Sequence, residues 1–178
     1  FIQGIFGVGG EQWGTLQMIT DSPEQGITPE IIPAQCSGRI LVGGGRITHH
    51  AIEAARDAGA VGLIAGGIAD GDLRQLLGYD LGVAITGTED IGLSVIVTEG
   101  FGEISMARKT FATLSACDGK DASISGATQI RAGVQRPEII VPSTEPAATA
   151  AEGGHISGMD GGDPLRVIRA PYFGRIGR

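Results

Sequence analysis

Two short apolar runs, separated by a stretch of small residues, dominate the hydrophobic pattern of the chain. Residues 40–42 and 61–65 are apolar without polar alternation, which is typical of strands covered on both faces in a parallel sheet. Between the runs, alanines recur at helical spacing after Thr48, a good N-cap residue, and Gly59 can end the helix in a left-handed conformation. Residues 39–68 are therefore predicted to form a β-α-β unit with a right-handed crossover.

The first 38 residues carry a weaker strand pattern. The apolar residues of segment 1–19 are divided by the glycine pair at 9–10, which predicts a β-hairpin. Residues 21–33 contain three prolines and several acidic residues, a composition typical of an irregular connection. We assign residues 1–38 to an N-terminal β-hairpin and its connection.

Alternation of strands and helices continues after the β-α-β unit. Residues 70–78 predict a short helix capped by an aspartate, and a longer helix is predicted from a Ser105 cap to about residue 116. Further strands are predicted at residues 83–86, 94–98, 122–125 and 139–141. The last of these lies between two prolines, which favours an edge position. The predicted fold over residues 39–142 is α/β, with a mostly parallel sheet and flanking helices.

The remaining residues differ in character from this domain. Residues 143–164 are small, acidic and without periodicity, which predicts a flexible linker. Residues 165–178 combine four arginines with apolar residues and predict the start of a further β element. Because the chain starts at Phe1 within a strand pattern, we expect it to be a piece of a longer, multidomain protein.

Composition and charge narrow the class of partner. The 31 glycines follow no collagen period, so they mark turns and close backbone contacts. A net charge of −7 argues against nucleic acid or an anionic membrane surface as the partner, and no run is long enough to span a bilayer. Cys36 and Cys117 stand outside metal and redox motifs, which favours structural thiols in a reducing cytoplasm. A homo-oligomer and a neighbouring domain both remain open as partners.

The loops after the predicted strands combine glycines with hydroxyl or charged groups. Ligands of parallel sheets bind at the carboxyl ends of the strands, and backbone N–H groups of a glycine loop before a helix can cradle an anion. Tight turns require the same glycines. Ligand-binding candidates are Gly44, Gly45, Arg46, Thr48, Asp70, Thr86, Glu89, Gln129 and Arg131. Phosphate-loop and dinucleotide motifs are missing, so ATP or NAD binding is not indicated and the cofactor is left open; no metal site is predicted.

Catalytic candidates are fewer. If Glu89 and Glu99 end neighbouring strands, they can face each other across one pocket as acid, base or metal ligands, although solvated or helix-capping carboxylates are commoner. The cluster around Gln129 and Arg131 fits loop-fixing ion pairs as well as substrate binding. His50 opens the first predicted helix, where the helix dipole favours the neutral imidazole.

Two resemblances to known families add to these predictions. The segment GGGRITHHAIEAARDAG resembles the phosphohistidine motif of the swivelling domain in phosphoenolpyruvate-utilising enzymes, which implies a swivelling β/β/α fold with His50 as phosphocarrier. His49 stands where that family has Ser or Thr. Residues 1–142 also resemble an uncharacterised prokaryotic family through the blocks TEGFG, ISGATQIRAG and RPEIIVP, followed by a KOW-like segment. This second resemblance implies a central α/β domain without a known activity.

Taken together, the sequence predicts a binding or scaffold domain of a larger protein, with a site for a small anionic ligand at the strand ends. No coherent set of nucleophile and base is present. The alternative is a phosphocarrier or an enzyme that uses His50, or Glu89 with Glu99. A third hypothesis, an assembly module that pairs through an edge strand, requires a large apolar patch.

Overall fold

The computed structural model describes residues 1–78, 90–128, 135–142, 165–166 and 176–177. The chain divides into two compact units, Phe1–Pro142 and Ser143–Arg178. In the second unit, β10 (Leu165–Arg166) and β11 (Ile176–Gly177) form an antiparallel pair. The predicted linker 143–164 and the strand predicted at 83–86 lie outside the described residues.

Nine strands of the first unit form one mixed sheet. They are β1 (Ile2–Gln3), β2 (Phe6–Val8), β3 (Glu11–Met18), β4 (Arg39–Val42), β5 (Arg46–Ile47), β6 (Gly62–Ile68), β7 (Ser94–Phe101), β8 (Asp121–Ser125) and β9 (Glu138–Ile140). Their spatial order is β1-β9-β8-β3-β4-β6-β7-β2, and β5 pairs with the end of β6. An α/β fold is confirmed at this level.

The prediction of a mostly parallel sheet is wrong. β3, β4, β6 and β7 form a central parallel block, and β5 is also parallel to β6. The pairings of β8 with β3, β9 with β8, β1 with β9 and β2 with β7 are all antiparallel. Apolar periodicity shows that a strand is buried but carries no information on the direction of its neighbour, so the pattern could not reveal these pairings.

The predicted β-α-β unit is confirmed as β4, α1 (His49–Asp57) and β6. The Thr48 hydroxyl accepts a hydrogen bond from the Ala51 N–H at 3.2 Å, and Gly59 follows the helix with a φ of 89°. Both end signals therefore act as expected from their residue types.

Within the described ranges, the other two α-helices are α2 (Asp70–Leu77) and α3 (Arg108–Ser115), and Pro29–Ile31 form a short 3-10 helix. The predicted caps are wrong. Asp70 is the first residue of α2, after the N-cap Ala69. Ala107, not Ser105, is the N-cap of α3. The Ala107 N–H donates to the Glu99 carboxylate at 2.8 Å, so a side chain of the preceding strand β7 fixes the start of this helix.

The N-terminal segment joins the two ends of the sheet. β2 pairs with β7 and β3 with β4 and β8, so the predicted hairpin between β2 and β3 does not form. Between β1 and β2, the Gly4 N–H donates to the carbonyl of Pro137 and the Ile5 N–H to that of Val97. β9 pairs with β1 on one side and with β8 on the other. The prediction that this strand lies at an edge of the sheet is therefore wrong.

Alternate residues of the central strands enter two separate apolar cores. Leu41 and Leu63 pack into the core that also contains the buried side chains of α1 and α2. Ile40 and Ile64 pack on the other face, in the core completed by α3, β8 and β9. Coverage of both faces explains why the strand sequences are apolar without alternation.

The two cysteines lie in the opposite cores of the first unit. Both cysteines are free, and Cys36 is buried in the core beside α1, where burial raises the pKa of its thiol. Cys117 packs against the opposite core.

No helix in the described part of the chain is long and apolar enough to cross a membrane.

Candidate functional site

A cleft of about 200 Å³ opens where β5 leads into α1. One wall is formed by residues 24–28, of which Ile27 bridges to Ile47 of β5, and the opposite wall by the loop that follows β7. The lining residues are Glu24, Gly26, Ile27, Thr28, Gly45, Arg46, Thr48, Glu103, Ile104 and Ser105. The fold thus brings three predicted ligand-binding residues, Gly45, Arg46 and Thr48, to one cleft.

Arg46 is the cation of this cleft. Its side chain is 31 % exposed, and its guanidinium forms an ion pair with the Glu103 carboxylate from the opposite wall. Glu103 is 75 % exposed, and exposed ion pairs contribute at most about 1 kcal/mol to stability. A ligand anion can therefore displace the Glu103 carboxylate from Arg46 at small cost.

Two acidic residues balance this cation. Glu24 lines the cleft, and its carboxylate lies 3.9 Å from the guanidinium of Arg108, which is almost fully exposed. Glu103 adds a second negative charge next to Arg46. The cleft therefore combines one half-buried positive group with two carboxylates at its walls.

The triple glycine does not offer the predicted backbone anion cradle. The N–H groups of Gly43–Gly45 already donate, in order, to the Ile64 carbonyl at 2.9 Å, the Thr20 hydroxyl at 3.0 Å and the Gln25 carbonyl at 2.7 Å. None of the three has a positive φ. The reason for glycine at position 44 is space, since a Cβ there would lie 2.6 Å from the carbonyl carbon of Pro23.

The hydroxyl groups of the cleft are partly engaged. Thr48 caps α1 through Ala51. The Thr28 hydroxyl hydrogen-bonds the side chain of Glu30 and thereby lowers the pKa of that exposed carboxyl, with a smaller contribution from the Glu30 backbone N–H. Ser105 is exposed on the opposite wall, where it can hydrogen-bond a ligand.

Replacing Thr48 by alanine tests whether the hydroxyl serves the helix. We expect Thr48→Ala to lower the free energy of unfolding by about 1 kcal/mol, because the Ala51 N–H loses its acceptor. Thr48→Ser keeps the hydroxyl and should stay close to wild type in urea unfolding. Unchanged stability in Thr48→Ala would show that the cap is not a stabilising interaction.

Two further predicted site residues that the structure describes, Asp70 and Glu99, do not line the cleft. Asp70 forms an exposed ion pair with Arg74 at 2.8 Å. Glu99 is buried, and its carboxylate accepts a hydrogen bond from the Ala107 N–H at the start of α3; its catalytic role stays a prediction. Thr86, Glu89, Gln129 and Arg131 lie outside the described residues, so the Glu89 and Glu99 pair and the cluster around Arg131 stay predictions.

The two histidines lie at the start of α1 with Glu53. His50 is exposed, whereas the side chain of His49 is only 17 % exposed. One potential ligand atom from each of His49, His50 and Glu53 lies within 4.8 Å of the other two. The centroids of the two imidazole rings are 5.7 Å apart. Of these three residues, the sequence pattern predicts a catalytic role only for His50, and Glu53 is not among the predicted residues, although the spacing H-H-x-x-E already places a carboxylate one helical turn from His49.

Sequence reasoning also missed the acidic walls of the cleft. Glu24 and Glu103 are separated by almost eighty residues, and neither belongs to a recognisable motif. Glu24 and Glu103 come to line the same cleft as Arg46 only in the folded chain. The pairing of β5 with β6 and the course of the loop after β7 bring these residues together.

A comparison of the chain with protein-family models, with curated proteins and with solved structures finds no significant match. Function must therefore be argued from the site, and both family resemblances stay predictions.

Proposed function

We propose that residues 1–142 form a binding domain for a small ligand with one anionic group, which Arg46 holds in the cleft between β5 and the loop after β7. The observation that carries this proposal is the ion pair of Arg46 with Glu103 across the cleft. The Glu103 carboxylate already forms an ion pair with the Arg46 guanidinium, so a ligand anion with the size and geometry of a carboxylate fits at the same position. Arginine favours such planar, bidentate partners.

Volume and charge narrow the ligand class. A cleft of about 200 Å³ is smaller than the ~300 Å³ at which drug-sized sites begin. The carboxylates of Glu24 and Glu103 repel a polyanion and favour a ligand that also carries a hydroxyl or ammonium donor. These features support a small hydroxy or amino acid rather than a nucleotide.

Binding of small acids should depend on Arg46 and improve when Glu103 is neutralised. Lactate, glycerate and serine are suitable probes, with the thermal midpoint and calorimetric affinity as readouts. A probe at ~100 times its dissociation constant adds about 2.7 kcal/mol to the stability of the folded state. Arg46→Gln should weaken binding on the order of tenfold to a hundredfold, because a charged hydrogen bond is lost. Glu103→Gln should strengthen it, because the competing carboxylate is gone.

Arg56→Gln is the matched control, since Arg56 lies on α1, does not line the cleft and pairs with the neighbouring carboxylate of Asp57. It should bind the probes as wild type does. Equal weakening in Arg46→Gln and Arg56→Gln would show a general charge effect. Binding that is unchanged in Arg46→Gln would place the ligand outside this cleft.

We do not extend the proposal to phosphoryl transfer through His50. The Glu53 carboxylate lies close to both imidazoles, and its negative charge would repel a phosphoryl group. The swivelling-domain assignment therefore stays an implication of the resemblance. We place the proposed binding activity in a reducing cytoplasm, a proposal supported by the two free thiols.

A further inference from the structure

We propose that His49, His50 and Glu53 bind a divalent metal ion of the zinc class at the start of α1. Two imidazole nitrogens and one carboxylate oxygen converge there, with the three ligand atoms within 4.8 Å of one another. None of these residues lines the cleft assigned to the anionic ligand. The proposal therefore stands independently of the proposed function.

A second observation points to a missing ligand at this place. The Nδ1 atom of His49 is buried and finds no hydrogen-bond partner among the residues that the structure describes. A buried polar atom without a partner is unfavourable and rare in folded proteins. An ion bound to Nδ1 would satisfy it.

The separation of two donors fits a shared ion. Nδ1 of His49 lies 3.7 Å from the Oε2 atom of Glu53, which is too long for a hydrogen bond. Two ligands bound to one tetrahedral zinc ion at ~2.0–2.1 Å stand about 3.4 Å apart. A small side-chain adjustment therefore converts the observed pair into two coordinating groups, and His50 can join them by rotation of an exposed ring.

The chemistry of the donor set selects the class of metal. Imidazole suits zinc, copper, nickel and iron, whereas magnesium and calcium prefer oxygen ligands alone. Two histidines and one glutamate leave the fourth position to water, on the side where His50 is exposed.

Nearby charges make a cation acceptable at a helix start. The positive end of the α1 dipole disfavours a cation there. The Glu53 carboxylate opposes this effect directly, and a second carboxylate, that of Asp72 in α2, accepts a hydrogen bond from the His49 backbone N–H at 2.9 Å. Asp72 thus holds the first residue of the site in place without being counted among its ligands.

Titration of the full chain with zinc chloride in a calorimeter tests the proposal. We expect one saturable zinc ion per chain that calcium and magnesium do not displace. His50→Gln and Glu53→Gln change partly or fully exposed side chains, so they should fold, as circular dichroism can verify, and each should weaken zinc binding about tenfold or more. His49→Gln should also weaken zinc binding, and this variant tests the buried ligand of the proposed site.

Matched controls keep other zinc-binding groups apart from this site. His155→Gln alters the remaining histidine of the chain, and Cys117→Ser removes a free thiol; both should leave the affinity unchanged. The visible spectrum of the cobalt complex should lack thiolate charge transfer and should change in His50→Gln. Absence of saturable zinc binding, or equal affinity in wild type and Glu53→Gln, would overturn the proposal.

Discussion

Replacing Gly44 by valine is expected to lower the free energy of unfolding of residues 1–142 by about 3 kcal/mol or more. A Cβ at position 44 would lie against the Ser22 carbonyl oxygen and 2.6 Å from the carbonyl carbon of Pro23. The Gly44 carbonyl in turn accepts a hydrogen bond from the Met106 N–H at 2.6 Å. Backbone atoms stand on both sides, so no rotation of a side chain can make room.

Urea unfolding monitored by the single tryptophan measures this change. Gly71→Ala is the control, because a Cβ there meets nothing within 4 Å and alanine is favoured over glycine in a helix by roughly 0.5–1 kcal/mol. That variant should be at least as stable as wild type. A Gly44→Val protein with wild-type stability would refute the close approach of the Pro23 segment.

Replacing Gly7 by valine is the second change with a large expected effect. Gly7 lies in β2 and does not have a positive φ, so strand propensity alone would predict that valine is stabilising. A Cβ there would lie 2.6 Å from the Gly126 carbonyl oxygen and 2.9 Å from the Pro137 Cβ. We therefore expect a loss of about 3 kcal/mol, because the two ends of the sheet could no longer close on each other.

Gly10→Val provides the comparison for this position. Gly10 stands just beyond β2, and a Cβ there meets nothing within 4 Å, so its effect should stay within about 0.5 kcal/mol. Guanidinium unfolding of both variants gives the difference directly. Equal stability of Gly7→Val and Gly10→Val would mean that the N-terminal segment does not join the ends of the sheet.

The candidate site was predictable only in part. Arg46 and Thr48 could be found because they follow a buried strand and precede a helix, where ligands of parallel sheets collect. Glu103 could not be found in this way, since it meets Arg46 across 57 positions of sequence. The proposed metal site is an intermediate case: its residues lie within about one helical turn, but only the structure shows that His49 Nδ1 is buried without a hydrogen-bond partner in the described part of the chain.

By itself, the sequence determined the β-α-β unit at the centre of this protein. The unit of β4, α1 and β6, with the Thr48 cap and the left-handed Gly59, follows from burial periodicity and from end signals that act within one turn of helix. Only the tertiary structure decided the antiparallel flanks, the closure of the sheet and the acidic cleft. The hydrogen bond from the Gly7 N–H to the Thr128 hydroxyl, at 2.9 Å, spans 121 positions. Contacts between residues so far apart in sequence depend on how all the intervening strands and helices pack. A local sequence pattern carries no information on that packing.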